Sequence, residues 1–224
     1  SPFDKPTRAE ALKYYRKVVD VFDLQITYEE KVLAVTAEPE EAATGTVFGV
    51  QTRSSRGVRR VRLARHVIFA IGYYDHPNLL NVLGEELPHV HHYYSESHPY
   101  YRQRVVIVGG GNSAAQAALE LYRAGAHVTL VHRAPELKST IKYWVRPDIE
   151  NRIKEGSVAA RFNSCLKEIR PTSIVISTRA ESGETTEEIP AETVFLLTGY
   201  RADSQLMTSA GIQLNDRQAP VCDP

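Results

Sequence analysis

An α/β fold is expected from the stretch RVVIVGGGNSAAQAALELYRAGAHVTLVHR, residues 104–133. Three observations carry that expectation. An apolar run, Arg104 to Val108, stops at consecutive glycines. An Ala-rich segment follows and ends at Gly125. A second apolar run, His127 to Val131, comes next. Strand, glycine turn, helix and strand in that order form the opening unit of a Rossmann-like parallel sheet. Strand-rich segments on both sides complete the picture. They suggest a parallel-sheet dinucleotide-binding unit with a three-stranded β-meander, joined to the later, β-rich part of a second such domain.

The elements follow in order. Thr7 and Glu10 in TRAE have capping-box spacing, and Leu12, Tyr15, Val19 and Phe22 then recur at helical intervals. QITYEEKVLAVTAEP, TVFGVQTRSS and VRRVRLARHVIFAIG read as strands, with turns at EEAATG and SSRG. PHVHHYYSESHPYYRQ is a polar, aromatic connector. After the glycine unit, Pro147 and DIENRIKE predict a helix that Gly156 stops. SVAARF, CLKEIRP, SIVISTR, TTEEIP and ETVFLLTG read as strands. ARHVIFAIGYY (Ala64 to Tyr74) resembles AETVFLLTGYR (Ala191 to Arg201), so both are expected to be closing strands of dinucleotide-binding domains. The second has its glycine turn; the first has none upstream, which implies a unit preceding Ser1. The expected boundaries are a partial domain over 1–75, a connector over 76–102, a dinucleotide-binding domain over 103–202 and a return segment over 203–224.

Charge and composition exclude several function classes. Lys plus Arg and Asp plus Glu each number 27, giving no net charge to favour nucleic acid or an anionic membrane. No apolar run is long enough to cross a bilayer, and SPFDKPTRAE lacks a signal-peptide core. Cys165 and Cys222 are far apart, without a CxxC, which fits a reducing, cytoplasmic setting. His89, His91, His92 and His98 cluster among tyrosines, but their spacing does not suggest a metal site. Cys165 lies in an alternating stretch and is expected to be buried and inert. Tyr143 and Trp144 stand in the loop before the Pro147 helix, with two readings open: a cover for the nicotinamide half of a dinucleotide, or ordinary packing, which is the commoner role of an aromatic pair.

The glycine turn carries the chemistry. Gly109, Gly111 and Ala114 fill G-x-G-x-x-G/A: the first permits the tight turn, the second lets the backbone approach a pyrophosphate, and Ala114 allows close helix packing. Asn112 and Ser113 open the helix whose free amides would face that phosphate. An NAD site carries Asp or Glu at the end of the second strand; here stand His132 and Arg133, with Lys138 close behind. An arginine can fork onto a 2′-phosphate that a carboxylate would repel, so NADP(H) is the expected dinucleotide.

The run VVIVGGGNSAAQAALEL…VTLVHR resembles the NADPH domain of thioredoxin-reductase-like, FAD- and NAD(P)-dependent pyridine nucleotide-disulfide oxidoreductases. HVIFAIGYYDHPN, HHYYSESHPYY and STIKYWVRPDIENRIKEG are most similar to the bacillithiol disulfide reductases of the YpdA type. The resemblance covers nearly the whole chain. It implies NADPH on Gly109, Gly111, Asn112, Ser113, Ala114, His132, Arg133, Lys138 and Gly199, and FAD on the other domain. Hydride would pass from NADPH to flavin and on to a low-molecular-weight or protein disulfide. No nucleic acid or membrane partner is implied, and assembly would be as a homodimer. Two departures stand out: no FAD fingerprint precedes the meander, and no CxxC precedes the second glycine turn. The chain therefore reads as a fragment of a larger reductase, inactive by itself, with any catalytic thiol outside it. The competing readings are a flavin-dependent monooxygenase and a non-catalytic NADP(H)-sensing module.

Overall fold

The structure is a computed structural model and describes residues 6–38, 47–180, 183–216 and 219–221 of the chain. The expected turn at residues 40–45 and Cys222 lie outside them. The chain divides into two compact units, one Gly72–Ala202 and the other built from the segments on either side.

The flanking unit opens with α1 (Arg8–Val21). The expected capping box is present: Glu10 N donates to the Thr7 hydroxyl and Thr7 N to the Glu10 carboxylate. The expected helical spacing is present, but the apolar stripe is not buried: Tyr15 and Phe22 are 64% and 69% exposed. Helical periodicity reports an apolar stripe, not what covers it. β1 (Glu30–Glu38), β2 (Val47–Ser54) and β3 (Arg59–Ala64) form an antiparallel meander in the order β1-β2-β3.

Ser54 and Val58 close the β2–β3 turn, with Gly57 at φ +82°. Glu30 ties the three strands together, accepting hydrogen bonds from Thr52 on β2 and Arg62 on β3. These contacts, Arg62 first and Thr52 second, hold its carboxyl down at about 2. A carboxyl whose pKa falls on folding stabilises the fold above its unfolded pKa, and that contribution is lost as pH drops towards the folded value. Glu30→Gln should therefore melt lower than the parent above about pH 5, with the gap closing steadily as the pH is lowered through the window between 4.5 and about 2. Thermal melts across that range check this; a constant gap would remove Glu30 ionisation from the account.

In the central unit, β6 (Arg104–Val108), α2 (Asn112–Arg123) and β7 (His127–Val131) occupy the positions expected from the sequence. α3 (Arg146–Lys154) carries Pro147 in its first turn, and Gly156 follows at φ +82°. With β5 (Val90–His91), β8 (Ala159–Arg161) and β12 (Thr193–Leu196), these strands form a parallel sheet in the order β5-β12-β6-β7-β8. β9 (Ser164–Arg170), β10 (Ser173–Ala180) and β11 (Gly183–Pro190) make the expected meander.

Both faces of the parallel sheet are covered, as parallel sheets require. Val105, Ile107, Leu130 and Phe195 pack with the α2 alanines, Leu121 and Ile149. Val106, Val108, Val131, Val194 and Leu196 turn the other way, onto Leu166, Ile169, Ile174 and Ile176 of the meander. The period-2 alternation of each strand thus feeds two separate cores. Beyond β12, β13 (Tyr200–Arg201) pairs antiparallel with β4 (His76–Pro77).

Two expectations about strands need correction. Ala64–Tyr74 is not a closing strand: β3 ends at Ala64, and Ile68 is 91% exposed. Its look-alike β12 is a strand because β5 and β6 flank it; residues 65–72 form no strand pairing among the described residues. The 88–103 stretch, read as a connector, contributes β5 to the edge of the parallel sheet.

Candidate functional site: a cleft at the glycine turn

The glycine turn leaves the sheet at β6, between β12 on one side and β7 on the other. Gly109 N bonds Val131 O at 3.0 Å, and Leu197 N bonds Val108 O at 2.9 Å, so both neighbouring strands hold the turn. Gly109 has φ +153°, and a Cβ there would stand 2.5 Å from Leu197 O. At Gly110 a Cβ would meet the His132 ring at 2.4 Å. Gly111, by contrast, faces open space, its nearest neighbour being Lys138 Cδ at 3.9 Å.

Gly111 is the N-cap of α2 and, having no side chain, offers no capping bond to the first-turn amides. Those donors and the positive end of the helix dipole are therefore free to receive an anion. Ala114, fully buried beneath the turn, lets α2 sit close to the sheet. The Asn112 side chain has a different task from the one expected: its amide donates to Thr140 O at 3.0 Å and its oxygen accepts from Lys142 N at 2.8 Å. Lys138 N reaches back to Gly110 O at 3.0 Å. Together these bonds fasten the loop after β7 over the helix start.

The cleft has a volume of about 560 Å³. Gly109, Gly111, Asn112, Ser113, His132, Arg133, Lys138 and Gly199 all line it, so the structure brings the expected site residues together, with Ala114 just below. Among the described residues no Asp or Glu lines it. Arg133 and Lys138 are exposed, and neither is ion-paired among the described residues. His132 is 5% exposed and lies against Gly110. Burial first, then Lys138 and Arg133, pushes its pKa down, so it is neutral at pH 7. The positive charge at this end comes from Arg133 and Lys138.

Three features were missed in the sequence. Cys165 is exposed and lines the cleft, contrary to the expected burial. Its neighbours Ser164 and Leu166 point inward on β9, so the residue between them points out. Tyr73, Tyr74 and Tyr200 line the β12 side of the cleft, and no short-range pattern signals that they meet. Tyr143 and Trp144 do not pack in a core: they are 82% and 54% exposed and meet edge to face. Among the described residues no His, Cys, Asp and Glu group could hold a metal.

Comparison with known proteins gives a consistent neighbourhood. The family model described as "Pyridine nucleotide-disulphide oxidoreductase" matches residues 1–224. Bacilliredoxin reductase Bdr of Bacillus subtilis is 35% identical over 211 residues, 94% of this chain and 61% of that protein. The structure of bacillithiol disulfide reductase Bdr (YpdA) from Bacillus cereus superposes with a TM-score of 0.88 at 35% identity, covering 100% of this chain and 66% of that one. Its counterpart from Staphylococcus aureus gives 0.86 at 34%, covering 100% and 65%. This chain thus spans less than two thirds of the length of these relatives.

Proposed function

This chain belongs to the pyridine nucleotide-disulphide oxidoreductase family, and on that premise we propose that it is the NADPH-binding portion of an FAD-dependent reductase of disulfides. The observation that carries the cofactor choice is the end of β7. Arg133 and Lys138, neither ion-paired among the described residues, stand there beside a helix N-terminus with no side-chain cap, in a cleft that no described Asp or Glu lines. A 2′-phosphate suits that charge, and the pyrophosphate suits the α2 amides. His132 shapes the turn by packing on Gly110, and Asn112 fixes the loop that presents Lys138.

The relatives named as reductases of bacilliredoxin and of bacillithiol disulfide support a low-molecular-weight or protein disulfide as final acceptor. FAD, when bound, supplies the two-electron acceptor between NADPH and that disulfide. This chain's own residues bind and orient the dinucleotide. A homodimer in the cytoplasm is part of the same proposal. Retention on immobilised 2′,5′-ADP, with elution by NADP⁺ but not by NAD⁺, tests the cofactor assignment. Passage through the column, or equal elution by both, would overturn it.

A further inference from the structure

Arg133 and Lys138 reach the cleft from backbone that is held in two different ways. Arg133 follows directly on the sheet: His132 N bonds Arg161 O at 2.8 Å, and Ser164 N bonds His132 O at 3.0 Å. Lys138 stands further out, in the loop between β7 and α3. Leu137, Ile141 and Val145, spaced four apart in that loop, are buried in the core beside α2. Between these anchors the backbone is closed by bonds from Lys138 N to Gly110 O at 3.0 Å and from Ile141 N to Lys138 O at 3.1 Å. The Asn112 side chain, in the first turn of α2, holds the next stretch through Thr140 O and Lys142 N. The Lys138 stem then runs along the helix start, 3.9 Å from where a Cβ on Gly111 would stand.

We propose that Asn112 is a positioning residue for coenzyme selectivity: it latches residues 140–142 to the start of α2 and so fixes where Lys138 meets a 2′-phosphate, without touching the dinucleotide itself. Its carboxamide is one planar unit with the carbonyl and the amide on opposite sides. Turning that plane towards a phosphate would break the bonds to Thr140 and Lys142 together. The pyrophosphate is served instead by the backbone amides and dipole of α2, which do not depend on the Asn112 side chain. Lysine is where a latch matters. Its long stem loses rotamer freedom whenever the ammonium is held in one place, and a mobile backbone would add to that loss. Fixing the loop in advance removes the second cost. Arg133, already held through the sheet at His132, does not need it. Loss of the latch should therefore be felt by a nucleotide with a 2′-phosphate and hardly by one without.

This inference rests on the NADP(H) reading, and its test separates the two. The intact chain, Asn112→Ala, Lys138→Ala and the double variant are each titrated calorimetrically with NADPH and with NADH. Asn112→Ala should bind NADPH about fivefold more weakly, a moderate coupling for residues in one bonded network, and NADH within about twofold. In the Lys138→Ala background the same substitution should change NADPH by less than about twofold, because the group it positions is gone. Alanine is a good helix former, and buried Ala114, Ala118 and Leu121 hold α2, so Asn112→Ala should melt close to the parent. A direct contact of Asn112 with the pyrophosphate would weaken both nucleotides alike and would persist without Lys138. If the parent prefers NADPH but Asn112→Ala keeps parental affinity, weakens both nucleotides equally or acts undiminished in the Lys138→Ala background, the latch is wrong while the cofactor reading stands. If the parent shows no preference for NADPH, both fall together.

Discussion

Gly111→Ala should bind NADPH at least about tenfold more weakly than the parent while melting at nearly the same temperature. Gly111 has no neighbour closer than 3.9 Å to an added Cβ and does not adopt a positive φ, so alanine fits the protein itself. The methyl group would stand where the pyrophosphate has to approach the backbone. Gly109→Ala should behave differently. Its Cβ would press within 2.5 Å of Leu197 O, at φ +153°. That carbonyl belongs to backbone held by β6, and it cannot swing aside as a side-chain tip could. A loss of about 1–3 kcal/mol in stability, with loss of binding, is the expected outcome. The pair therefore splits the turn into a residue the ligand needs and a residue the fold needs. Thermal melts alongside NADPH titration read the split directly. A parental affinity in Gly111→Ala would mean that no phosphate approaches the turn.

Arg133→Ala should weaken NADPH by about 1–3 kcal/mol and leave NADH nearly unchanged, because only NADPH carries the 2′-phosphate. Arg133 is exposed and carries no ion pair among the described residues, so removing it leaves no buried carboxylate unpaired. The effect should shrink as salt is raised, as for any partly solvated charge contact. Lys138→Ala is a less clean probe. Its stem lies near Gly111 and its backbone bonds Gly110, so NADH should lose some affinity too. Calorimetry at two salt concentrations checks the assignment; an equal loss for both nucleotides in Arg133→Ala would move the 2′-phosphate elsewhere.

Much of the central unit was legible because local signals and tertiary structure agree there. β6, the glycine turn, α2 and β7 are contiguous, and each has its own period and punctuation. The capping box at Thr7 and the Pro147 start of α3 are likewise local chemistry. The failures are all questions of partnership. HVIFAIG has the composition of a buried strand, yet a strand exists only where another pairs with it, and β5 and β6 flank only its look-alike. Cys165 was assigned to the wrong face of β9, where Lys167 is an extra residue against the β10 register and shifts the alternation. A ladder of tyrosine rings joins residues 73–74, 93 and 200, which come together only when β13 pairs with β4. No window of the sequence contains that contact.

We propose that the cleft at Gly109–Ser113 selects a dinucleotide bearing a 2′-phosphate. Its most direct test is calorimetric titration of the unmodified chain with NADPH and with NADH, in the same buffer at about 0.1 M salt, where surface charges still act over about 10 Å. One site is expected, with NADPH bound at least about tenfold more tightly, the worth of a single charge-assisted contact. Equal affinities, or tighter binding of NADH, would contradict it.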